Sequence, residues 1–578
     1  MFRYLWPYML RYRKRLIFGF GFITLANLTG IVPPIYVKNT IDYFKEDIQL
    51  EKLLEFAGLI VLFTAVSGLF RFLMRRTVIV VSRLVENDLR NDLFAKLQSL
   101  DRNWYQKNNT GDIMSRLTND LNAIRSVTGP GVMYTVNLFT TFIFVIFMML
   151  KISPLMTLIA LLPVPVMAIV VQRIGAMIHK RYLAVQNQFG LISTKAQENL
   201  AGIRIIKSYV LEDSEWKQFN KLNEEYIQKN MSYARADSAF MPSMMLIVGI
   251  GSALILLFGG KLIISNVITL GDFVAFTLYM GMLIWPSIAI GWVMGLFLQG
   301  SAAHKRLQAI ISAEPERSRD DQGIKEIKSG KITFKNLTFR YPGSEIDVLK
   351  NIDLQIEAGE IVAVVGRTGS GKSSIIQLLT KEFNAPPGTL FVDDLDIHNY
   401  DVDALRAETG YIPQDTFLFS DTISNNIAFG LNGTPIQDVE WAAQTAQIHD
   451  SVIDLPEGYN TILGERGINI SGGQKQRLSI ARAILKHPKI LLLDDALSAV
   501  DTITEEAILN NLRDVMKDKT CLWVSHRISS IKTADKIIVL DNGEIVEQGT
   551  HEELLLTGGI YADLYEKQQL EETLQHTD

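Results

Sequence analysis

Long runs of apolar residues recur up to about Gly300, and beyond Pro315 they give way to short apolar stretches alternating with charged ones. A helix rises about 1.5 Å per residue, so crossing a hydrocarbon layer of about 30 Å takes roughly 20 residues. Six stretches reach that length, near residues 15–37, 53–74, 131–151, 154–173, 240–264 and 273–299. Only Lys151-Ile152-Ser153-Pro154 separates the third from the fourth, which predicts a tight hairpin at one membrane face. The prolines of Pro33-Pro34 and Leu162-Pro163-Val164-Pro165 lack a backbone N–H donor, so a kink or loosening is expected at each segment.

Two polar segments, 75–130 and 174–239, are too long for simple loops and are rich in helix formers. They predict helices that run well past the bilayer and reverse at short turns. The turns are placed at residues 109–116, where Gly111 and Asp112 suit a helix start, and at residues 208–212. After residue 330 the pattern changes to β-rich runs of about five residues spaced by helical segments, the mark of an α/β domain. The expected organisation is a membrane domain over 1–312, a charged linker over 313–330, an α/β domain over 331–568 and a polar tail over 569–578.

Charge orients this layout. Arg11, Arg13, Lys14 and Arg15 precede the first span, and Arg75, Arg76, Arg83, Arg90 and Lys96 follow the second, so these ends are expected in the cytoplasm. Between them, Asp42, Glu46, Asp47 and Glu51 offset Lys45 and Lys52. Six crossings then return the C-terminal domain to the cytoplasm, giving a multi-pass protein of the cytoplasmic membrane with both termini inside. The basic start ahead of an apolar run is like a secretory signal, but five further spans and no small-residue cleavage pattern near Val32-Pro33-Pro34 argue for a retained anchor. The net charge of -5 gives no reason to expect a nucleic-acid partner, since that reading needs a clustered basic excess. A single cysteine, Cys521, excludes a disulfide within the chain and reads as a buried structural thiol.

Candidate chemistry concentrates in the α/β region. The strand-like Ile361–Val365 runs into Gly366-Arg367-Thr368-Gly369-Ser370-Gly371-Lys372-Ser373 and then a helical stretch opening at Ser374. Glycines let the backbone N–H groups curl towards phosphate oxygens, Lys372 supplies a mobile cation and Ser373 a hydroxyl for Mg2+. A second strand ends in Asp494-Asp495, where Asp494 suits Mg2+. Between these strands, Ser471-Gly472-Gly473-Gln474 opens an amphipathic helix and makes a second anion cradle.

One nucleotide does not need two cradles, and this pairing resembles the ATP-binding cassette (ABC) transporters, in which the second cradle contacts ATP held by the opposite cassette. The resemblance covers nearly the whole chain. It implies a multidomain membrane protein, with six all-α spans and long cytoplasmic extensions followed by a P-loop cassette. It implies that Tyr341 stacks on adenine, that Gln414 senses the metal, that His526 meets the γ-phosphate and that Ser498-Ala499-Val500-Asp501 is the D-loop. Residues 464–467 look like the exporter segment that meets the partner's coupling turn, and Gly366 to Ser374 with Ser471 to Gln474 and Asp501 would hold ATP. The fused layout is similar to one half of a bacterial multidrug exporter. The departure is Asp495, where the family has the Glu that polarises the attacking water. Being one methylene shorter, Asp moves the carboxylate back by roughly 1–1.5 Å, a misplacement of the size that costs on the order of a hundredfold in rate. The implied partner is a different half carrying that Glu, with lipid around the spans and a small lipophilic cargo. A lipid or peptide exporter, a homodimeric drug exporter or an ATP-gated channel would use the same engine, and transport and current assays separate them.

Overall fold

The computed structural model describes residues 1–44, 49–313, 323–431, 433–464 and 467–575. The expected loop residues 45–48, half of the expected linker (314–322), Glu465 and Arg466 of the expected exporter segment, and the last three residues of the expected tail lie outside them. Two compact units emerge: Met1–Leu100 with Asn108–Glu314, and Asp101–Lys107 with Pro315–Asp578.

The first unit begins with helix α1 (Phe2–Arg11). Six helical segments follow that are long and apolar enough to cross a membrane: α2 (Arg13–Tyr43), α3 (Leu50–Gln98), α4 (Thr110–Ile152), α5 (Pro154–Ala201), α6 (Glu212–Ile264) and α7 (Leu270–Ile311). α2 is interrupted at Ile31-Val32, just before Pro33-Pro34, and α5 is interrupted at Leu162 before Pro163. Each break falls where proline removes a helical donor. The hairpin between α4 and α5 is set by Ser153, whose hydroxyl accepts from the Met156 amide at 3.3 Å, followed by Pro154 in the first helical turn. The 53 residues of α6 correspond to about 80 Å, far more than a bilayer needs.

The second reversal lies at residues 209–211, with Val210 at a φ of 54°, within the expected stretch. The first does not. Residues 109–116 start a helix at Thr110, whereas the chain reverses earlier, around a short helix at Arg102–Lys107. Asp101 starts that helix by accepting from the Trp104 amide at 3.0 Å, a capping signal that Gly111-Asp112 outweighed in the sequence.

The second unit carries two sheets. Strands β1 (Ile332–Arg340), β2 (Asp347–Ile356), β4 (Leu390–Val392) and β5 (Leu395–Asp396) form an antiparallel sheet in the order β2-β1-β4-β5. The larger sheet runs β10-β9-β3-β8-β7-β6, from β3 (Ile361–Val365), β6 (Thr409–Ile412), β7 (Ile490–Asp494), β8 (Thr520–Val524), β9 (Lys536–Asp541) and β10 (Glu544–Gly549). All its pairings are parallel except the edge pair β10/β9. Apolar runs buried on both faces account for this, because successive side chains point to opposite sides. Ala363, Leu491, Leu493, Cys521 and Trp523 enter one core, and Val362, Val364, Leu492, Leu522 and Val524 the other. Cys521 is fully buried and its thiol is pushed up to about 12 by desolvation, in keeping with a structural role.

Candidate functional site

Four neighbouring parallel strands, β3, β8, β7 and β6, end at one edge of the large sheet, and each delivers part of the site there. Strand β3 leads into the loop 366–371 and helix α8 (Lys372–Leu379). The loop requires glycine at particular points. Gly366 has φ 152° and a Cβ there would lie 2.0 Å from the Leu540 carbonyl oxygen, while Gly371 has φ 103° and a Cβ would meet Leu349 at 2.8 Å. Arg367, Thr368 and Gly369 are exposed, and the buried Ser370 hydroxyl has no hydrogen-bond partner. Such an orphaned donor in a loop of curled amides fits a phosphate ligand.

Lys372 is buried and its ammonium donates to the carbonyls of Gly366 and Arg367, both at 2.8 Å. Desolvation lowers its proton affinity, partly offset by Asp495 and Asp494. Ser373 Oγ donates to Asp494 Oδ1 at 2.9 Å, setting a hydroxyl and a carboxylate side by side. Asp494 is 4% exposed, and burial raises its carboxyl above the usual range despite the Ser373 bond and the nearby Lys372. Among the described residues no group of three or more His, Cys, Asp or Glu could form a metal cage. A single carboxylate beside a hydroxyl fits Mg2+, which keeps waters and substrate phosphates as its remaining ligands.

Asp495 follows directly, with φ 49°, a left-handed conformation that Asp tolerates better than most residues. Its amide donates to the Val524 carbonyl at 2.9 Å, and its Oδ1 accepts from the His526 amide at 3.4 Å. His526 is exposed on the loop after β8, and Gln414 is exposed just past β6. Tyr341 lies past the end of β1, half-buried, its hydroxyl bonded to Ser374 at 2.8 Å and donating to Gln377 at 2.9 Å, and its ring against Phe383. The fold thus brings Lys372, Ser373, Ser374, Asp494, Asp495, His526 and Tyr341 into one connected network around the loop.

The second cradle is built elsewhere in the same unit. Helix α9 (Gly472–Leu485) opens on a capping box: Ser471 Oγ accepts from the Gln474 amide at 3.2 Å and Gln474 Oε1 accepts from the Ser471 amide at 2.9 Å. A Cβ on Gly473 would lie 2.8 Å from the Ala499 carbonyl oxygen, so the loop at 498–501 packs onto this helix. Gln476 secures the contact, donating to Ser498 Oγ and accepting from the Ala499 amide, both at 2.9 Å. Asp501 caps helix α10 (Thr502–Met516) by accepting from the Thr504 amide at 2.9 Å. Ser471, Gly472 and Asp501 are exposed. Sequence reasoning missed Gln476 and the buried Glu505, which pairs with Arg527 beside His526. Their only local signal is polarity on a buried helix face.

Residues 16–287 match the family described as ABC transporter transmembrane region, and residues 349–498 match the one described as ABC transporter. A Bacillus subtilis (strain 168) protein, probable multidrug resistance ABC transporter ATP-binding/permease protein YheI, is 37% identical over 566 residues, 97% of this chain and 96% of the relative. Multidrug resistance-like ATP-binding protein MdlA of Escherichia coli (strain K12) is 35% identical over 569 residues, 98% and 96% of the two chains. The ATP-dependent lipid A-core flippase of Syntrophus aciditrophicus (strain SB) is 34% identical over 533 residues, 92% and 88% of the two. The solved structure of a bacterial Atm1-family ABC exporter with ATP bound superposes with a TM-score of 0.81 at 28% identity, over 96% of this chain and 99% of the other. With six apolar helical segments ahead of a sheet-built P-loop unit, and whole-length relatives that are exporters and flippases, this chain belongs to the ABC transporter family, as an exporter whose ATP hydrolysis is coupled to transport.

Proposed function

We propose that this chain is one half of a heterodimeric exporter of lipophilic or amphipathic compounds from the cytoplasmic membrane, with both termini in the cytoplasm. In this reading two ATP molecules bridge the paired cassettes. Each is held by one chain's P-loop, here Gly366 to Ser374 with Tyr341 at the adenine, and by the other chain's Ser-Gly-Gly cradle, here Ser471 to Gln474 with Asp501 nearby. Ser373, Asp494 and Gln414 would hold Mg2+, which when bound neutralises charge on the β- and γ-phosphates. Lys372 exchanges its loop carbonyls for phosphate oxygens, and His526 donates to the γ-phosphate. Closure of the cassettes turns the spans from inward to outward opening, and hydrolysis resets them.

Asp495 is the observation that carries the heterodimer. At the position where the family polarises the attacking water, its carboxylate is one methylene short, so the site on this chain's own P-loop is slow. The cradle at 471–474 retains its capping box and completes a partner's faster site. The cargo reading is supported by relatives named for multidrug resistance and by a pocket among the spans lined by Met149, Met167, Met280, Pro163, Ile247 and Leu283. Flexible thioethers let such a surface fit varied apolar ligands.

The test is reconstitution of the chain alone and with the chain that co-purifies with it, followed by ATP-driven uptake of a fluorescent lipophilic cation into inverted vesicles. Transport is expected only for the pair, and fast coupled transport by the single chain would sink the heterodimer. In the pair, Asp495→Glu should raise turnover at the slow site by up to about a hundredfold.

A further inference from the structure

The loop carrying His526 is held from two sides. On one, Ser525 Oγ accepts from the Arg527 amide at 3.0 Å, and the Arg527 guanidinium pairs with Glu505 while donating to the carbonyls of Val500 at 3.3 Å and Ser498 at 3.4 Å. Those carbonyls belong to the D-loop. On the other side stands Gln568, which lies 42 residues further along the chain. Its Nε2 donates to the His526 carbonyl at 2.5 Å and its Oε1 accepts from the Ile528 amide at 2.8 Å. Ile528 opens the short helix Ile528–Ile531, whose capping residue offers no side-chain bond, so this amide is one of the orphan donors of a helix start. A carboxamide donates and accepts at once, and Gln568 thereby satisfies the backbone groups on both sides of Arg527.

Gln568 is not a stray surface contact. It lies on helix α11 (Ile560–Gln575), on the same face as Tyr561, Leu564 and Tyr565, at the three- and four-residue spacing that stacks side chains on a helix. Tyr561 is fully buried and its hydroxyl meets His551 Nδ1 at 2.7 Å, while Leu564 and Tyr565 pack against one core of the large sheet. Glu547 on β10 accepts from the amides of Ile560 at 2.5 Å and Tyr561 at 3.1 Å, fixing the helix start. The carboxamide is therefore presented by an anchored helix two turns from its buried tyrosine.

We propose that Gln568 is a positioning residue for ATP hydrolysis: by bridging the His526 carbonyl and the Ile528 amide it holds the switch histidine beside Asp495, and it makes seating of the C-terminal helix a condition of turnover. The inference rests on the reading of His526 as the γ-phosphate ligand. A shift of about 1 Å in a group that touches the reacting phosphate is enough to cost up to about a hundredfold in rate.

The experiment uses the full-length exporter as purified with its partner and carrying Asp495→Glu, so that this chain's site contributes to turnover. His526→Ala, Gln568→Met and the double variant are compared for kcat, KM for ATP and thermal unfolding. Gln568→Met is expected to lower kcat about tenfold with KM within about twofold, and the double variant to be no slower than His526→Ala alone. A kcat unchanged by Gln568→Met while His526→Ala lowers it overturns the positioning role and leaves the histidine's role standing. Losses that multiply in the double variant, or a loss that tracks a lower unfolding temperature, overturn it as well. No effect of His526→Ala would bring down both readings.

Discussion

Asp494 and Asp495 are adjacent acids with different chemistry, because one closes a strand and the other turns out of it. Asp494 keeps the β7 register opposite Val524 and is buried, whereas Asp495 takes a left-handed φ of 49° and reaches the His526 amide. Burial holds the Asp494 carboxyl above its unfolded range, so the native state binds that proton more tightly than the unfolded chain does. Its contribution to stability is then present at low pH and is lost as the pH rises through the raised value, which makes the ionised carboxylate a cost at neutral pH. Asp494→Asn keeps an acceptor for Ser373 and removes the charge. It should raise the unfolding temperature of the nucleotide-free protein at neutral pH, by a margin that shrinks on acidification, while ATP hydrolysis is lost. An unchanged or lower unfolding temperature at neutral pH would contradict the burial argument. The residues that were legible beforehand, Lys372, Ser373, Asp494 and Ser471, each sit in a local pattern that marks them in the sequence: a glycine loop, a strand end or a capping box. Glu505, Gln476 and Gln568 act across the fold on loops far from them in sequence, and nothing adjacent in the chain marks them.

Helices in the first unit are shaped by small residues as much as by apolar ones. Two π-turns, Arg116–Asp120 and Val127–Gly131, interrupt α4, and the second meets α7 closely enough that a Cβ on Gly300 would lie 2.2 Å from Val127 Cγ2. Gly129 is as tight against Ser82 of α3, at 2.5 Å. Only residues this small let the helix backbones approach so closely at these contacts. Gly300→Ala should therefore lower the unfolding temperature in detergent, and Val127→Ala should restore part of it by vacating the space. Failure of the second substitution to rescue the first would mean that the contact is not what limits packing. At this scale the spans, the hairpin at Ser153 and the proline breaks were readable from hydropathy and backbone chemistry. The first reversal was misplaced because Asp101 and Gly111-Asp112 both offer a helix start, and local sequence does not rank the two.

For the whole molecule, the consequence to test is mechanical. Lys372 is buried and donates to its own loop carbonyls, so under the proposed function phosphate oxygens must displace those carbonyls, and nucleotide capture is tied to a rearrangement of the loop. In the paired exporter, Lys372→Ala should abolish the ATP-driven approach of the two cassettes, measured as a spectroscopic distance between labels on each, and with it the opening of the spans to the outside. Persistence of both movements at ordinary ATP concentrations would refute the proposed coupling.

The sequence by itself determined the six spans, the α/β cassette and the glycine loop and capping box of the candidate phosphate sites, because hydrophobic length, strand periodicity and glycine geometry are local properties. Only the tertiary structure decided which strand ends share an edge, which polar side chains reach distant loops, and where the chain reverses after α3. Those depend on contacts between residues tens to hundreds of positions apart, which no short window of sequence contains.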